Sequence, residues 1–258
     1  MFLGVDIGSS SSKAVVVDAK RKVLGEHIVN RGTGSDGPEI SVNVALEMAG
    51  LRREDIRRCV ATGYGRMRYE GADKQITEIS CHAKGVYFLA PAARTIIDVG
   101  GQDAKVIRVA EGGMVENFVM NEKCAAGTGR FLEVMTRVLG CGIDELSGLA
   151  ARGRDGVDIS NTCTVFAESE VISRLASGAS REDVALGAHV SVAQRIAGLC
   201  ARTGLADAVV MTGGVALNDS VVSAIEREIG RPIVRLYDPQ GAGALGAAIF
   251  AAEAEDAR

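Results

Sequence analysis

The chain has 258 residues, of which 47% are hydrophobic and 24% charged, with a formal net charge of -4. This composition builds an ordinary globular core and lacks the basic surplus of a nucleic-acid binder. With 4% aromatic residues and no Trp it also lacks a base-stacking platform.

Apolar runs such as 14–17 and 209–211 fall far short of the roughly 20 residues of a membrane span. The chain starts on a strand-like run, residues 2–5, without the basic and then apolar segments of a signal peptide. The expectation is a cytoplasmic protein with neither nucleic acid nor membrane as partner. In a reducing cytosol its six cysteines, at 59, 81, 124, 141, 163 and 200, default to buried apolar residues.

In chain order, the first strand leads into the glycine cluster Gly4-Val5-Asp6-Ile7-Gly8-Ser9-Ser10-Ser11-Ser12-Lys13. Strand-like runs follow at 14–17 and 23–29. Cys59 lies in a further strand-like run. Cys81 beside His82 is a lone Cys-His pair, too little for a metal site. A second cluster, Ile96-Ile97-Asp98-Val99-Gly100-Gly101-Gln102-Asp103-Ala104-Lys105, precedes strands at 106–109 and 114–119. The two clusters align at an offset of 92, matching Asp6 with Asp98, Gly8 with Gly100 and Lys13 with Lys105. This is one supersecondary unit used twice: strand, Asp-x-Gly turn, strand, short turn, strand.

Two helical patterns follow. Cys124, in Asn121-Glu122-Lys123-Cys124-Ala125-Ala126-Gly127-Thr128-Gly129-Arg130, precedes Phe131, Leu132, Val134, Met135, Val138 and Leu139 at spacings of three and four. Cys163, in Ser160-Asn161-Thr162-Cys163-Thr164-Val165-Phe166-Ala167-Glu168-Ser169-Glu170, precedes Val171, Ile172 and Leu175. Flanking Ser, Thr and Asn predict that both thiols sit at helix N-termini, where the partial positive charge favours a thiolate. Glu168 and Glu170 read as N-terminal acids suited to the dipole. Cys141 follows a helix end, and Cys200 shares an apolar helix face with Ile196 and Leu199. A third glycine cluster, Val209-Val210-Met211-Thr212-Gly213-Gly214-Val215-Ala216-Leu217-Asn218, follows a strand. The small-residue run 241–248 predicts a closely packed last helix.

Asp-x-Gly turns alone are compatible with plain hairpins. Two matching copies with a third glycine cluster point to a nucleotide phosphate. Glycines admit close backbone approach, turn N–H groups form an anion-binding concavity, and Ser9, Ser10, Ser11 and Ser12 add hydroxyl donors. Asp6 and Asp98 suit Mg²⁺ held through water. Lys13 and Lys105 are either phosphate contacts or solvated strand-end lysines. Gln102 or Asp103 is a candidate to position the attacking water. No Gly-x-x-x-x-Gly-Lys-[Ser/Thr] motif occurs.

The pattern resembles the superfamily of sugar kinases, heat-shock chaperone ATPases and actin, nearly end to end. The fold this implies is α/β and actin-like: two RNase H-like domains with the nucleotide cleft between them. Residues 1–92 plus 241–258 would form the first domain and 93–240 the second. In that superfamily the two Asp-x-Gly turns are phosphate motifs, and a turn like Gly213-Gly214 sits under adenosine.

Two cysteines 39 positions apart cannot fill a four-cysteine cluster site, although a two-fold dimer would double them to four. A catalytic thiol and two inert cysteines are equally compatible with the residues alone. The strings Cys124-Ala125-Ala126-Gly127-Thr128-Gly129-Arg130-Phe131-Leu132 and Thr162-Cys163-Thr164-Val165-Phe166-Ala167-Glu168-Ser169-Glu170-Val171 are similar to those of the activator components of 2-hydroxyacyl-CoA dehydratases, in the BadF/BadG/BcrA/BcrD ATPase family. Ala61-Thr62-Gly63-Tyr64-Gly65-Arg66 and the second and third glycine clusters extend the likeness. The ATP-binding subunits of benzoyl-CoA reductase belong to the same family. The resemblance implies an ATPase that binds ATP or ADP with Mg²⁺. It implies a homodimer whose Cys124 and Cys163 carry one shared 4Fe–4S cluster. It also implies one-electron transfer from a ferredoxin or flavodoxin to a dehydratase partner. It extends the nucleotide-binding candidates to Gly127, Thr128, Gly129, Asn218, Gln240 and Gly243. Rival readings are a benzoyl-CoA-type reductase subunit, a sugar or acyl kinase of the same fold with incidental cysteines, and a non-redox assembly ATPase.

Overall fold

The two repeated units build two five-stranded sheets in the computed structural model, which describes residues 1–256. In the first, β1 (Phe2–Ile7) runs antiparallel to β2 (Ser12–Val17), which runs antiparallel to β3 (Val23–Val29). Next comes α1 (Gly37–Ala49), with a proline in its first turn and Gly50 left-handed at its end. β4 (Arg58–Thr62) pairs in parallel with β1, and β5 (Lys74–Gln75) with β4. α2 (Glu78–Leu89) starts at Thr77, whose hydroxyl accepts the Ser80 N–H.

The second sheet repeats the scheme. β6 (Thr95–Val99) runs antiparallel to β7 (Ala104–Val109), and β8 (Val115–Asn121) forms one edge. Four helices follow: α3 (Gly129–Leu139), α4 (Ile143–Ala151), α5 (Thr164–Ala176) and α6 (Arg181–Thr203). β9 (Val209–Thr212) pairs in parallel with β6, and after α7 (Asp219–Ile229) the short β10 (Ile233–Val234) pairs with β9. The chain ends on α8 (Ala242–Asp256).

The chain forms two compact units. One comprises Met1–Ala93, Val109–Glu116 and the chain from Leu236; the other comprises Arg94–Arg108 and Asn117–Arg235. Residues 257 and 258, the last two expected in the first domain, lie outside the described residues. In the first unit the sheet is covered on both faces, so its central strands are mostly apolar, with Asp6, Ser12 and Lys13 only at the turn end. Leu3, Val5, Ile7, Ala14 and Val16 meet Val42 and Leu46 of α1. Phe2, Val15, Val17 and Val60 meet the alanine-rich α8. In the second unit Ile97, Val99 and Val106 pack with Phe131, Leu132 and Met135 of α3 and with Val192 and Ile196 of α6.

A search for short apolar runs overlooks α6, which by length and composition is apolar enough to cross a membrane. Its Val184, Val192, Ile196 and Leu199 are instead buried in the second unit's core. The apolar face of α5 also differs from its sequence pattern of Val171, Ile172 and Leu175: Val171 is buried and Leu175 partly so, whereas Ile172 is exposed, as are Val165 and Phe166 at the helix start.

Candidate functional site

The repeated aspartates and lysines meet. Asp6 and Lys13 are register partners across β1 and β2, as Asp98 and Lys105 are across β6 and β7. Lys13 Nζ lies 3.2 Å from Asp6 Oδ2, and Lys105 Nζ lies 3.1 Å from Asp98 Oδ2. Neither lysine is the solvated strand-end residue the sequence allowed, because each side chain is drawn back along the hairpin onto a buried carboxylate. Lys105 also reaches Asp103 at 2.7 Å. The turns themselves superpose in their bonding: the Gly8 N–H donates to the Ser11 carbonyl at 2.9 Å, and the Gly100 N–H to the Asp103 carbonyl at 3.0 Å. The buried Ser12 hydroxyl donates to the Arg31 carbonyl at 2.7 Å, so the accessible serines are Ser9, Ser10 and Ser11. Gln102 is exposed at the tip of the second turn.

A further pair of turns completes the repeat, and its alignment was missed in the sequence. Thr62-Gly63 ends β4 beside Asp6, and Thr212-Gly213 ends β9 beside Asp98. Gly63 and Gly213 have φ of 84° and 86°, values that favour glycine. A Cβ at either would crowd the neighbouring aspartate Oδ1. The pairs differ in one respect. Thr212 Oγ1 donates to Asp98 Oδ1 at 2.9 Å, while Thr62 Oγ1 makes no hydrogen bond to Asp6.

The other nucleotide candidates fall into two groups. In the first unit, a Cβ on Gly243 would lie 3.1 Å from Asp6 Oδ2 and 3.0 Å from His82 Nε2, so Gly243 abuts the first turn. Gln240 lies just before α8, its N–H donating to Asp238 at 2.9 Å. In the second unit, the Gly129 N–H donates to the Gly100 carbonyl at 2.9 Å and the Arg130 N–H to the Gly101 carbonyl at 2.8 Å. The start of α3 is thus tied to the second Asp-x-Gly turn. Gly127 has φ of 82° in the loop before it, and buried Thr128 donates its hydroxyl to the Ala125 carbonyl at 2.7 Å. Asn218 is engaged at both ends of its amide: Oδ1 accepts the Val221 N–H at 3.0 Å, capping α7, and Nδ2 faces His189 Nε2 at 3.3 Å.

Cys163 occupies the N-cap position of α5, and no side chain caps that helix. Cys124 does not sit at a helix N-terminus as expected. It lies four residues before Thr128, the N-cap of α3, because the first N–H groups of α3 go to the Gly100–Gly101 turn. The two cysteine loops nonetheless meet: the half-buried Cys124 thiol donates to the carbonyl of Thr162, next to Cys163, at 3.4 Å. Asn121 holds the Cys124 loop by donating to the carbonyls of Cys124 and Ala126, at 2.9 and 3.2 Å. Glu170 is not a first-turn acid. It lies in the second turn of α5 and accepts the Ser160 N–H at 2.7 Å, bracing the Cys163 loop.

Among the described residues no group of three or more His, Cys, Asp and Glu forms a metal cage. Two half-buried, unbridged thiols at one corner match half of the four thiolates a 4Fe–4S cluster takes. The remaining cysteines are poor ligands. Burial pushes the thiols of Cys59, Cys81 and Cys200 up to about 12 and raises that of Cys141.

The model of the BadF/BadG/BcrA/BcrD ATPase family matches residues 3–251. The chain is 55% identical over 252 residues to an activator of lactoyl-CoA dehydratase from Anaerotignum propionicum, covering 98% of this chain and 97% of that one. It superposes with a TM-score of 0.95 and 49% identity on the activator of the 2-hydroxyisocaproyl-CoA dehydratase from Clostridium difficile, solved with bound ADPNP, covering 100% of this chain and 97% of that one. A ROK family glucokinase from Streptomyces griseus shares the fold alone, with a TM-score of 0.59 at 16% identity, covering 98% of this chain and 99% of that one. With its doubled Asp-x-Gly hairpins on two α/β sheets, the chain has the actin-like ATPase fold and belongs to the BadF/BadG/BcrA/BcrD ATPase family.

Proposed function

We propose that this chain is the ATP-dependent activator of a 2-hydroxyacyl-CoA dehydratase. In this reading its ATPase activity is coupled to one-electron transfer from a 4Fe–4S cluster that two copies of the chain share. The observation that carries it is the bond from the Cys124 thiol to the Thr162 carbonyl, which brings the loops of Cys124 and Cys163, distant in sequence, to one corner of the second unit. The near full-length likeness to proteins named as dehydratase activators supports the dehydratase as partner.

Each copy contributes two thiols, so a two-fold dimer completes the four ligands. Val165 and Phe166, exposed just after Cys163, suit burial against the second copy. When bound, the cluster supplies a one-electron store, refilled by a ferredoxin or flavodoxin. Glu170 and Asn121 fix the loops that carry the thiols. At the nucleotide, Lys13 and Lys105 hold the Asp6 and Asp98 carboxylates in place, where they would order the water shell of Mg²⁺. Within each unit the turn glycines, with Ser9, Ser10 and Ser11 in the first, are the candidates to contact phosphate. Gln102, exposed at its turn, is better placed to orient the attacking water than Asp103, whose carboxylate is engaged by Lys105. Phosphoryl transfer of this kind rests on positioning and electrostatics.

The test is anaerobic purification with iron, sulfide and ATPase assays. The expected result is a brown dimer with about four irons per two chains. Cys124→Ala and Cys163→Ala should each lose the iron and keep ATP hydrolysis. A colourless, iron-free chain that hydrolyses ATP and is indifferent to oxygen would overturn the cluster and leave a kinase or assembly ATPase. Iron bound only in a mixed assembly with different subunits would point to a benzoyl-CoA-type reductase.

A further inference from the structure

The first Asp-x-Gly turn is held by a segment that no motif singles out. After β3 the chain runs through Arg31-Gly32-Thr33-Gly34-Ser35-Asp36 into α1. Thr33 makes two bonds to one atom: its N–H and its hydroxyl both donate to the Gly8 carbonyl, at 2.9 and 3.0 Å. On either side, the Ser12 hydroxyl donates to the Arg31 carbonyl, and Gly32 lies so close that a Cβ on it would overlap the Ser9 carbonyl. The segment is also braced in itself. Arg31 pairs with Asp36 at 2.9 Å, and the Ser35 hydroxyl donates to the Gly32 carbonyl at 2.6 Å.

The carbonyl of Gly8 and the N–H of Ser9 belong to one peptide unit, which is trans and planar. The two groups point in opposite directions, so the donors on Gly8 aim the Ser9 N–H away from Thr33. Glycine does not fix that plane by itself, since without a Cβ it accepts many conformations. The second turn is locked at the matching place by another segment, where the Gly100 carbonyl accepts the Gly129 N–H. There the lock is a backbone bond; in the first turn a side chain doubles it. Room for that side chain comes from Gly65, whose N–H donates to the Ile7 carbonyl at 2.9 Å. A Cβ on Gly65 would lie 2.8 Å from Thr33 Oγ1 and 2.5 Å from Ile7 Cγ2. Thr33 therefore sits between the two turns beside Asp6, the Asp-x-Gly turn and the turn that follows Thr62.

We propose that Thr33 is a positioning residue for phosphate: through the Gly8 carbonyl its hydroxyl and N–H aim the Ser9 N–H at the ligand, and Gly65 leaves the hydroxyl its space. The inference rests on the nucleotide reading of that turn and adds the residue that sets its geometry. Thr33 acts through Gly8 and does not itself touch phosphate.

Calorimetric titration of the full chain, with ADPNP and Mg²⁺ and separately with adenosine, tests this. Thr33→Val keeps the N–H and the branched shape and removes one donor. It should weaken ADPNP binding about fivefold and leave adenosine within about twofold, because the change is felt at the phosphates. Thr33→Ser restores the hydroxyl and should bring ADPNP back to within about twofold of the wild type. Gly65→Ala keeps Thr33 but crowds its hydroxyl, and should weaken ADPNP as Thr33→Val does. An unchanged ADPNP affinity in Thr33→Val or Gly65→Ala, an equal loss for ADPNP and adenosine, or a Thr33→Ser chain as weak as Thr33→Val would overturn the assignment. A wild-type chain that binds ADPNP no more tightly than adenosine, or binds neither, would instead remove the nucleotide reading of the turn itself.

Discussion

At the scale of the residue, the buried polar side chains explain which groups face a ligand and which hold the protein together. Lys105 is almost fully buried between Asp98 and Asp103, and such a charge is tolerated only when paired. The sequence left Lys13 and Lys105 open between phosphate contact and solvent, because strand alternation does not say how far a long side chain folds back. His189 is a second case. It is wholly buried on α6, its Nδ1 has no hydrogen-bond partner, and desolvation lowers its pKa from 6.5 to about 4. Since the folded pKa lies below the unfolded one, the unfolded chain binds more protons between these values. The neutral histidine therefore contributes its full stability above pH 6.5, and that contribution is lost as pH falls toward 4. Between pH 7 and pH 5 the loss should be about 2 kcal/mol. Denaturant unfolding at both pH values should show this difference, and His189→Asn should flatten it by that amount. An equal pH slope in both proteins would mean that His189 is hydrated or charged in the folded chain.

At the scale of the element, most strands and helices were legible, because β-runs ending in glycine turns and three-and-four spacing are local signals. The third strand of the first unit matches its sequence span, and α3 contains the whole apolar pattern from Phe131 to Leu139. What escaped are bonds between distant segments: the tie of α3 to the Gly100–Gly101 turn and the bracing of Ser160 by Glu170. No periodicity encodes either. The last helix shows how composition carries packing. Gly246 of α8 lies so close to α2 that a Cβ would overlap the Cys81 carbonyl oxygen, and a Cβ on Gly85 of α2 would overlap the Ala242 carbonyl oxygen. The helices approach backbone to backbone, and the small residues of 241–248 are the condition for it. Gly246→Ala should therefore force α2 and α8 apart at a cost of about 1–3 kcal/mol. A calorimetric melt would register this as a fall of about 2–4 °C in Tm for each kcal/mol. An unchanged Tm would show that the two helices separate freely.

At the scale of the whole molecule, the doubled hairpin is what makes the fold legible in the sequence. One alignment at an offset of 92 placed two aspartates, two glycine turns and two lysines in matching roles. The match of Thr62-Gly63 with Thr212-Gly213 was harder to see, because their offset is 150 and their flanking residues differ. The repeat is also imperfect where it matters for a ligand. Both Asp98 oxygens are engaged, Oδ1 by Thr212 and Oδ2 by Lys105, whereas Asp6 takes Lys13 on Oδ2 and no hydrogen bond from Thr62. Asp6 thus has more capacity for a new partner such as Mg²⁺-bound water. A ligand that binds only the folded chain stabilises it by mass action, by about 2.7 kcal/mol at 100 times its Kd. On the proposed reading, ADPNP with Mg²⁺ should therefore raise Tm by roughly 5–10 °C for a chain of this size. Removing Mg²⁺ should shrink the rise. Asp6→Asn should remove the Mg²⁺-dependent part and lower the ligand-free Tm less than Asp98→Asn does, because Lys13 is more exposed than Lys105. Asp98→Asn should lower the ligand-free Tm as well, because it weakens the bond to Lys105. If both variants lower the ligand-free Tm equally, the two aspartates share one structural role and the asymmetry has no bearing on the metal.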